Sequence, residues 1–389
     1  MSTILCAFAG GSGHADPLVP IATAMRAAGH EVTFFGRRSG AGVAEAAGFE
    51  LVVDPDEAPG DPTTISPLVP IDMDREYRVL GRGFADRIAR ARAARMLGLA
   101  EDRRLDLVVC DEFDFGAMIG AEVLGVPHVT VLVNASRSFV RPGLVVKALR
   151  PVREEHGLPP DPDLAMLARH LVLSPFPPSL RDPAHPLPPT TVPIRWEAVD
   201  GDGPPRWLDE VATPTVYATL GTIFNAESGD LFERLLAGLG ELPVGAIVTV
   251  GRQLDPGVFG DPPANVRAER YVPQTALLPR CDLVINHAGS GSVVGALAHG
   301  VPMVMLPMGA DQPLNAARVL ELGAGVQLDA IAATPRDIAT AASTVLSTPS
   351  YRAAAVRLRD EIAALPPVAD VVPLLDRLID GRTTGEEPP

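Results

Sequence analysis

Residues 282–327 read DLVINHAGSGSVVGALAHGVPMVMLPMGADQPLNAARVLELGAGVQ. Residues 282–286 form a short apolar run suited to a buried parallel strand. His287-Ala-Gly-Ser-Gly-Ser292 then turns straight into a helical pattern, with Val293, Ala296 and Leu297 at i, i+3 and i+4. Gly300-Val-Pro302 stops that helix. The first amides of a helix have no partner within it, and the positive end of its dipole lies behind them. A turn built this way can hold phosphate. His287 and the hydroxyls of Ser290 and Ser292 add donors to the backbone of Gly289 and Gly291. The second turn, Met308-Gly-Ala-Asp311-Gln312-Pro313, puts an acid and an amide at the next helix start. Such a pair suits hydroxyls that both donate and accept. The stretch therefore predicts strand, turn, helix, strand, turn, helix, with a phosphate site beside a polyol site.

The rest of the chain fits an α/β protein. Its 389 residues suffice for two such domains with their own cores. It is 47% hydrophobic and 21% charged, the balance of a globular protein. A net charge of −15 argues against nucleic acid or anionic membrane as partner. Cys6, Cys110 and Cys281 are odd in number and sit in or beside apolar strands, as buried free thiols of a reducing cytoplasm do. No Cys or His spacing suits a metal. The start, MSTILCAFAG, has no basic segment and reads as a first strand rather than a signal peptide. No apolar run reaches the roughly 18 residues that span a bilayer.

In the first half, strands are expected at 3–9, 31–35, 49–53, 105–110 and 127–133, alternating with helices at 15–28, up to Gly48, and 115–124. That alternation implies a parallel, doubly wound sheet. Residues 54–74 form a long proline-rich loop, and residues 75–99 a basic, exposed helical stretch. A proline-dense zone over 174–214 holds the linker. A second alternation runs from residue 215 to 327, and helices follow at 335–346, 350–364 and 368–379. The expected division is a first domain over 1–195, a linker over 196–214, a second domain over 215–365, a last helix over 366–380 and a disordered tail over 381–389.

From Tyr271-Val-Pro-Gln274 to Gly325 the chain resembles the donor-binding signature of the family-1, GT-B-fold glycosyltransferases. These are the bacterial antibiotic and macrolide enzymes related to UDP-glycosyltransferases. The resemblance implies two Rossmann-like domains whose parallel sheets face each other across a cleft. The last helix would cross back to the first domain, with Leu374, Leu375 and Leu378 as its apolar face. The implied activity is inverting sugar transfer without metal or cofactor, from a nucleotide sugar to a hydroxyl of a hydrophobic aglycone. A homodimer is compatible with it.

The resemblance also assigns residues. His14, in AGGSGHADPL, matches the base that deprotonates the acceptor, work that an imidazole can do near neutral pH. Asp111, in VVCDEFDFG, matches the carboxylate that orients it, with Asp114 and Glu112 as alternatives. His287 and the turn Gly289, Ser290, Gly291 and Ser292 match the diphosphate site. Thr222 matches a residue facing the phosphates or the sugar, and Asp311 and Gln312 the pair that contacts the donor sugar. Tyr271 stands where relatives place Trp or Phe to stack on the nucleobase, whose edge backbone near Val272 reads. Gly295 is the informative departure. UDP-using relatives often carry Glu there to bind the ribose hydroxyls, so a dTDP-sugar is expected here, with a UDP-sugar as alternative. Ile71, Met73, Phe84 and Phe139 are the expected acceptor walls.

Two other readings start from the same residues. A GT-B nucleotide-sugar epimerase would need no acceptor. An NADP-dependent oxidoreductase would use Gly11 and Gly13 as a dinucleotide turn and Arg37-Arg38 for a 2′-phosphate, but Asp16 stands at the third glycine position.

Overall fold

A computed structural model describes residues 1–54, 64–136, 139–195, 197, 203–222 and 224–384. The chain divides into two compact units. The first comprises Met1–Glu57, Met73–Val199 and Leu365–Pro389; the second comprises Ala58–Asp72 and Asp200–Ala364.

The first unit is built on a seven-stranded sheet. In chain order its strands are β1 (Thr3–Phe8), β2 (Glu31–Arg37), β3 (Glu50–Asp54), β4 (Leu107–Asp111), β5 (His128–Val131), β6 (Leu171–Ser174) and β7 (Thr191–Pro193). They are ordered β3-β2-β1-β4-β5-β6-β7, and every pairing is parallel. The strand order reverses between β1 and β4, where Ala7 lies opposite Cys110. Ligands of open α/β sheets sit at the carboxyl end of such a reversal. The loop after β1 and the first residues after β4 meet there, although about a hundred residues of chain separate them.

The second unit repeats the plan with six strands. They are β8 (Thr215–Thr219), β9 (Gly245–Thr249), β10 (Val266–Glu269), β11 (Leu283–Asn286), β12 (Met303–Met305) and β13 (Gly325–Gln327). The order β10-β9-β8-β11-β12-β13 reverses between β8 and β11, where Thr219 pairs with Asn286. Strands β4, β8 and β9 are buried along their whole length, as parallel strands covered on both faces are.

Several elements differ from the sequence expectation. The first helix is split: a single turn, Ser12–Ala15, precedes Pro17, and the regular helix runs Leu18–Ala27. Pro17 has no amide to donate and sits naturally just ahead of the second piece. Strands β6 and β7 were not anticipated; β7 lies within the proline-dense zone at the sheet edge, where a missing donor costs least. Residues 64–72 of the long loop group with the second unit. Ser66 N donates to Ala226 O (2.7 Å), Gly229 N donates to Ser66 O (3.0 Å), and Ile65 and Leu68 pack on that core. Residues 55–63 of that loop, 196 and 198–202 of the expected linker, and 385–389 of the expected tail lie outside the described residues.

The closing helix, Val372–Thr384, belongs to the first unit. Its core residues are Leu375 and Ile379, which continue from Val371 at i+4 steps, with Val372 and Leu378 partly covered. Leu374 is off that line. Arg195 N also donates to Pro366 O (2.7 Å) within the same unit.

The basic stretch after residue 73 is not an exposed helix. It comprises a helix Met73–Arg78, a π-helix Val79–Ile88 and a helix Ala89–Asp102. Ala89, Arg92, Ala93 and Met96 are buried. Arg92 is wholly enclosed, and its guanidinium meets acceptors there. Its Nε donates to Asp114 Oδ1 (2.8 Å), Nη2 donates to Asp114 Oδ2 and to Phe35 O (3.2 Å), and the guanidinium lies 4.0 Å over the Phe35 ring. Removing one partner of a buried ion pair strands the other charge. Arg92→Met is therefore expected to lower the unfolding free energy by about 3–5 kcal/mol in equilibrium urea denaturation. A loss under about 1 kcal/mol would equate the pair with a surface one.

Candidate functional site

In the first unit, β1 ends at the glycine run Gly10-Gly11, and the turn Ser12–Ala15 carries His14 back over the sheet edge. The imidazole lies against the Gly10 backbone: a Cβ added to Gly10 would fall 2.2 Å from His14 Cδ2. Only glycine allows that approach. Asp111, the last residue of β4, is fully buried. Its Oδ2 accepts from Ala9 N (2.6 Å), and its Oδ1 accepts from Phe113 N (2.7 Å) and faces His14 Nδ1 at 3.2 Å. A carboxylate can only accept, so Nδ1 carries the ring proton and Nε2 keeps the basic lone pair. Phe84 stacks parallel to the imidazole at 6.1 Å between centroids, and Phe113 meets its edge at 5.0 Å.

The two alternative carboxylates have other partners. Asp114 pairs with Arg92 and caps the helix Phe115–Leu124 by accepting from Ala117 N (3.0 Å). Glu112 Oε1 accepts from Val133 N (2.8 Å) and Asn134 N (2.7 Å). Asp16 retains some exposed area but lies deep among protein atoms, and burial pushes its carboxyl up to about 7.

In the second unit, β11 delivers His287 into the turn that starts the helix Ser290–Ala298. Two glycines make room for the ring. A Cβ on Gly221, at φ +79°, would sit 2.5 Å from His287 Cε1, and one on Gly289 would sit 2.4 Å from its Nε2. Burial pushes the imidazole down to about 4, so it is neutral at pH 7. Its Nδ1 has no hydrogen-bond partner. Gly291 and Ser292 are half-buried in the first turn, and Thr222 is exposed just past β8.

Ala288 sits at φ +64° and Ala310 at φ +52°, one in each of the two turns. A left-handed non-glycine residue costs about 1–2 kcal/mol and is kept where surrounding bonds hold it. Asn286 Oδ1 accepts from Ala288 N (2.7 Å), and Asn315 Nδ2 donates to Ala288 O (3.0 Å). Asn315 Nδ2 also reaches Ser290 Oγ (3.1 Å) and Asp311 Oδ2 (2.7 Å), while Ser290 Oγ donates to Asp311 Oδ2 (2.7 Å). The phosphate-type turn and the acid of the next turn are thus one network. Gln312 is 2% exposed, and its Oε1 accepts from Met308 N (2.8 Å) and Gly309 N (3.3 Å). Its carbonyl is committed to the turn, and the amide NH₂ is what it can offer a ligand.

Tyr271 is 45% exposed, with the Arg252 guanidinium 3.4 Å over one face of its ring. Val272 beside it is buried. Gly295 lies in the same helix as Ser292, where an added Cβ would meet Leu278 Cδ1 at 3.3 Å and Gln274 Oε1 at 3.4 Å. Of the expected acceptor walls, Phe84 and Phe139 join one aromatic group with Phe113 and Tyr77. Met73 only starts the adjoining helix, and Ile71 is exposed and belongs to the second unit.

Asn315, Arg252 and Phe113 were not anticipated. Asn315 had a signal, since it follows Asp311 by four residues and so shares its helix face. The Arg252–Tyr271 contact had none, because it joins two different strand ends. Among the described residues no group of three or more His, Cys, Asp or Glu could hold a metal, and no helix is long and apolar enough to cross a membrane.

Residues 233–378 match the family described as erythromycin biosynthesis protein CIII-like, C-terminal domain. The chain is 32% identical to 4'-demethylrebeccamycin synthase of Lentzea aerocolonigenes, over 97% of this chain and 99% of that one. It is also 32% identical to tylactone mycaminosyltransferase of Streptomyces fradiae, over 94% and 90%. The chain belongs to the family-1 natural-product glycosyltransferases. Its fold is GT-B: the spinosyn rhamnosyltransferase SpnG complexed with thymidine diphosphate superposes with a TM-score of 0.75 at 25% identity, covering 96% of this chain and all of that one. A glycosyltransferase is a transferase of sugars, which sets the oxidoreductase reading aside.

Two histidines of this glycosyltransferase set an acid limit. Burial pushes both His287 and His128 down to about 4, from about 6.5 in an unfolded chain. Unfolding therefore takes up protons below about pH 6.5, and stability falls as the pH drops from there towards 4. Neither ring is expected to titrate between pH 8 and 5 by NMR. His287→Gln should flatten the fall of the urea midpoint over pH 6.5–5. An unchanged slope would show that His287 is protonated in the folded state.

Proposed function

We propose that this glycosyltransferase moves a deoxysugar from a dTDP-sugar to a hydroxyl of a hydrophobic aglycone by direct, inverting displacement without a metal. The observation that carries the reading is the His14–Asp111 pair, whose carboxylate is fixed by the amides of Ala9 and Phe113. That arrangement leaves Nε2 as the basic nitrogen, in a ring clamped by Gly10, Phe84 and Phe113.

In the proposed step, the acceptor O–H gives its proton to His14 Nε2 as its oxygen attacks the anomeric carbon. The new C–O bond forms while the bond from that carbon to the diphosphate oxygen breaks, and dTDP leaves with the electron pair. Asp111 stabilises the imidazolium that results. The proton on His14 then passes to solvent.

The second unit holds the donor. Amides at the start of the helix Ser290–Ala298 and neutral His287 meet the diphosphate and stabilise the charge that develops on it. Asp311, held by Ser290 and Asn315, accepts from sugar hydroxyls, and the Gln312 amide donates to them. Thymine stacks on the face of Tyr271 opposite Arg252. Gly295 offers no carboxylate to a ribose 2′-hydroxyl, which dTDP lacks. The thymidine diphosphate in the SpnG structure supports this choice of donor.

His14→Ala is expected to lower kcat by at least about 10²-fold while dTDP binding is kept. Asp111→Asn should lower it on the order of 10²–10⁴-fold through the wrong tautomer. Near-normal turnover in His14→Ala would remove His14 from the base role.

Gly295→Glu tests the donor. It should raise the kcat/KM ratio of UDP-glucose to dTDP-glucose by about tenfold, the scale of one charge-assisted hydrogen bond. An unchanged ratio, or wild-type preference for UDP-sugars, would overturn the dTDP assignment.

A further inference from the structure

We propose that Ser290 is a specificity-determining residue for the donor sugar. By filling one oxygen of Asp311, it sets the site against a sugar that brings two neighbouring hydroxyls and towards one that lacks one of them. The proposal rests on the reading of Asp311 and Gln312 as the residues that meet the donor sugar.

A hydroxyl carries one proton and two lone pairs. The proton of Ser290 goes to Asp311 Oδ2 (2.7 Å), and its oxygen accepts from Asn315 Nδ2 (3.1 Å). Ser290 is 8% exposed and Asn315 is wholly buried, so the network is fixed from within the protein. The oxygens of an ionised diphosphate only accept hydrogen bonds. With its one proton spent, the Ser290 side chain has nothing to donate to them. The sequence pattern places this hydroxyl at the phosphate; its bonds place it on the acid of the next turn.

An ionised carboxylate has about four lone-pair sites, two on each oxygen. Asp311 Oδ2 accepts from Ser290 Oγ (2.7 Å) and from Asn315 Nδ2 (2.7 Å), which fills both of its sites. Asp311 therefore offers a sugar at most one oxygen. Gln312 is committed in the same way, because its Oε1 accepts from Met308 N (2.8 Å) and Gly309 N (3.3 Å). An uncommitted acid–amide pair would present two carboxylate oxygens and one amide oxygen. This pair presents one accepting oxygen at most, beside the Gln312 NH₂.

A sugar hydroxyl that leaves water needs an acceptor for its proton. Of two neighbouring hydroxyls at Asp311, the second meets an oxygen that is already filled. Burying an unmet polar group costs on the order of tenfold in affinity or more. A sugar with hydrogen in place of that hydroxyl carries no such cost, so the discrimination comes from what the site refuses. Ser290 is the member of the network that can be changed alone. Asn315 Nδ2 also holds Ala288 O (3.0 Å), at the left-handed residue of the turn.

The test measures binding of dTDP, dTDP-glucose, dTDP-3-deoxyglucose and dTDP-4-deoxyglucose to the full chain by calorimetry. The wild type should bind at least one deoxy donor about tenfold tighter than dTDP-glucose. Ser290→Ala should shrink that gap to about threefold or less by tightening dTDP-glucose, and Ser290→Thr, which keeps a hydroxyl, should preserve it. Wild-type binding of dTDP-glucose as tight as both deoxy donors, or tighter, overturns the proposal without any variant. So does an unchanged gap in Ser290→Ala. A Ser290→Ala variant of wild-type thermal stability that weakens dTDP itself would put the hydroxyl on the phosphate and overturn it too. Asp311→Asn separates the proposal from the reading beneath it. A gap that Asp311→Asn abolishes and Ser290→Ala keeps overturns the role of Ser290 alone. A gap that survives Asp311→Asn takes Asp311 off the sugar and overturns both.

Discussion

The buried carboxylate of Asp111 is the contact on which the first unit's site depends. Its two oxygens take two backbone amides and face one imidazole nitrogen, so the loop after β1 and the residues after β4 are held as one piece. The sheet brings them together because its strand order reverses between β1 and β4. The ion pair of Arg92 with Asp114 then supports the start of the next helix three residues on. The acid that faces His14 and the acid that caps the helix are thus separate neighbours, each with its own donors.

The second unit solves the same problem with amides. Its strand order reverses between β8 and β11, and the turns that follow β11 and β12 each contain an alanine in left-handed conformation. Asn286 and Asn315 bond the peptide around Ala288, and Gln312 bonds the turn around Ala310. Strain of this kind persists where bonds over-determine the backbone. Enclosing His287 among Gly221, Gly289 and Phe224 keeps the ring neutral.

The sequence made both parallel sheets readable, because short stretches rich in apolar and β-branched residues, such as LVVCD and TVYAT, alternate with helical spacing. The turn from His287 to Ser292 and the acid–amide start at Asp311 were readable as local patterns. Contacts joining distant segments were not. The burial of Arg92 depends on an aspartate 22 residues away, and nothing in the spacing of the basic stretch shows it. Strands β6 and β7 were hidden by surrounding prolines, and the aromatic group joins three segments whose order gives no hint of their proximity. Residues 64–72 packing with the second unit is a tertiary choice that composition cannot predict.

We propose that a base held by Asp111 activates the acceptor for a single displacement. Its most direct test is the anomeric configuration of the transferred sugar, read by proton NMR from the H1 couplings and NOEs of donor and product. An α-linked dTDP-sugar is expected to yield a β-linked product. Retention of the α configuration would require a double displacement or front-face attack, and would contradict it.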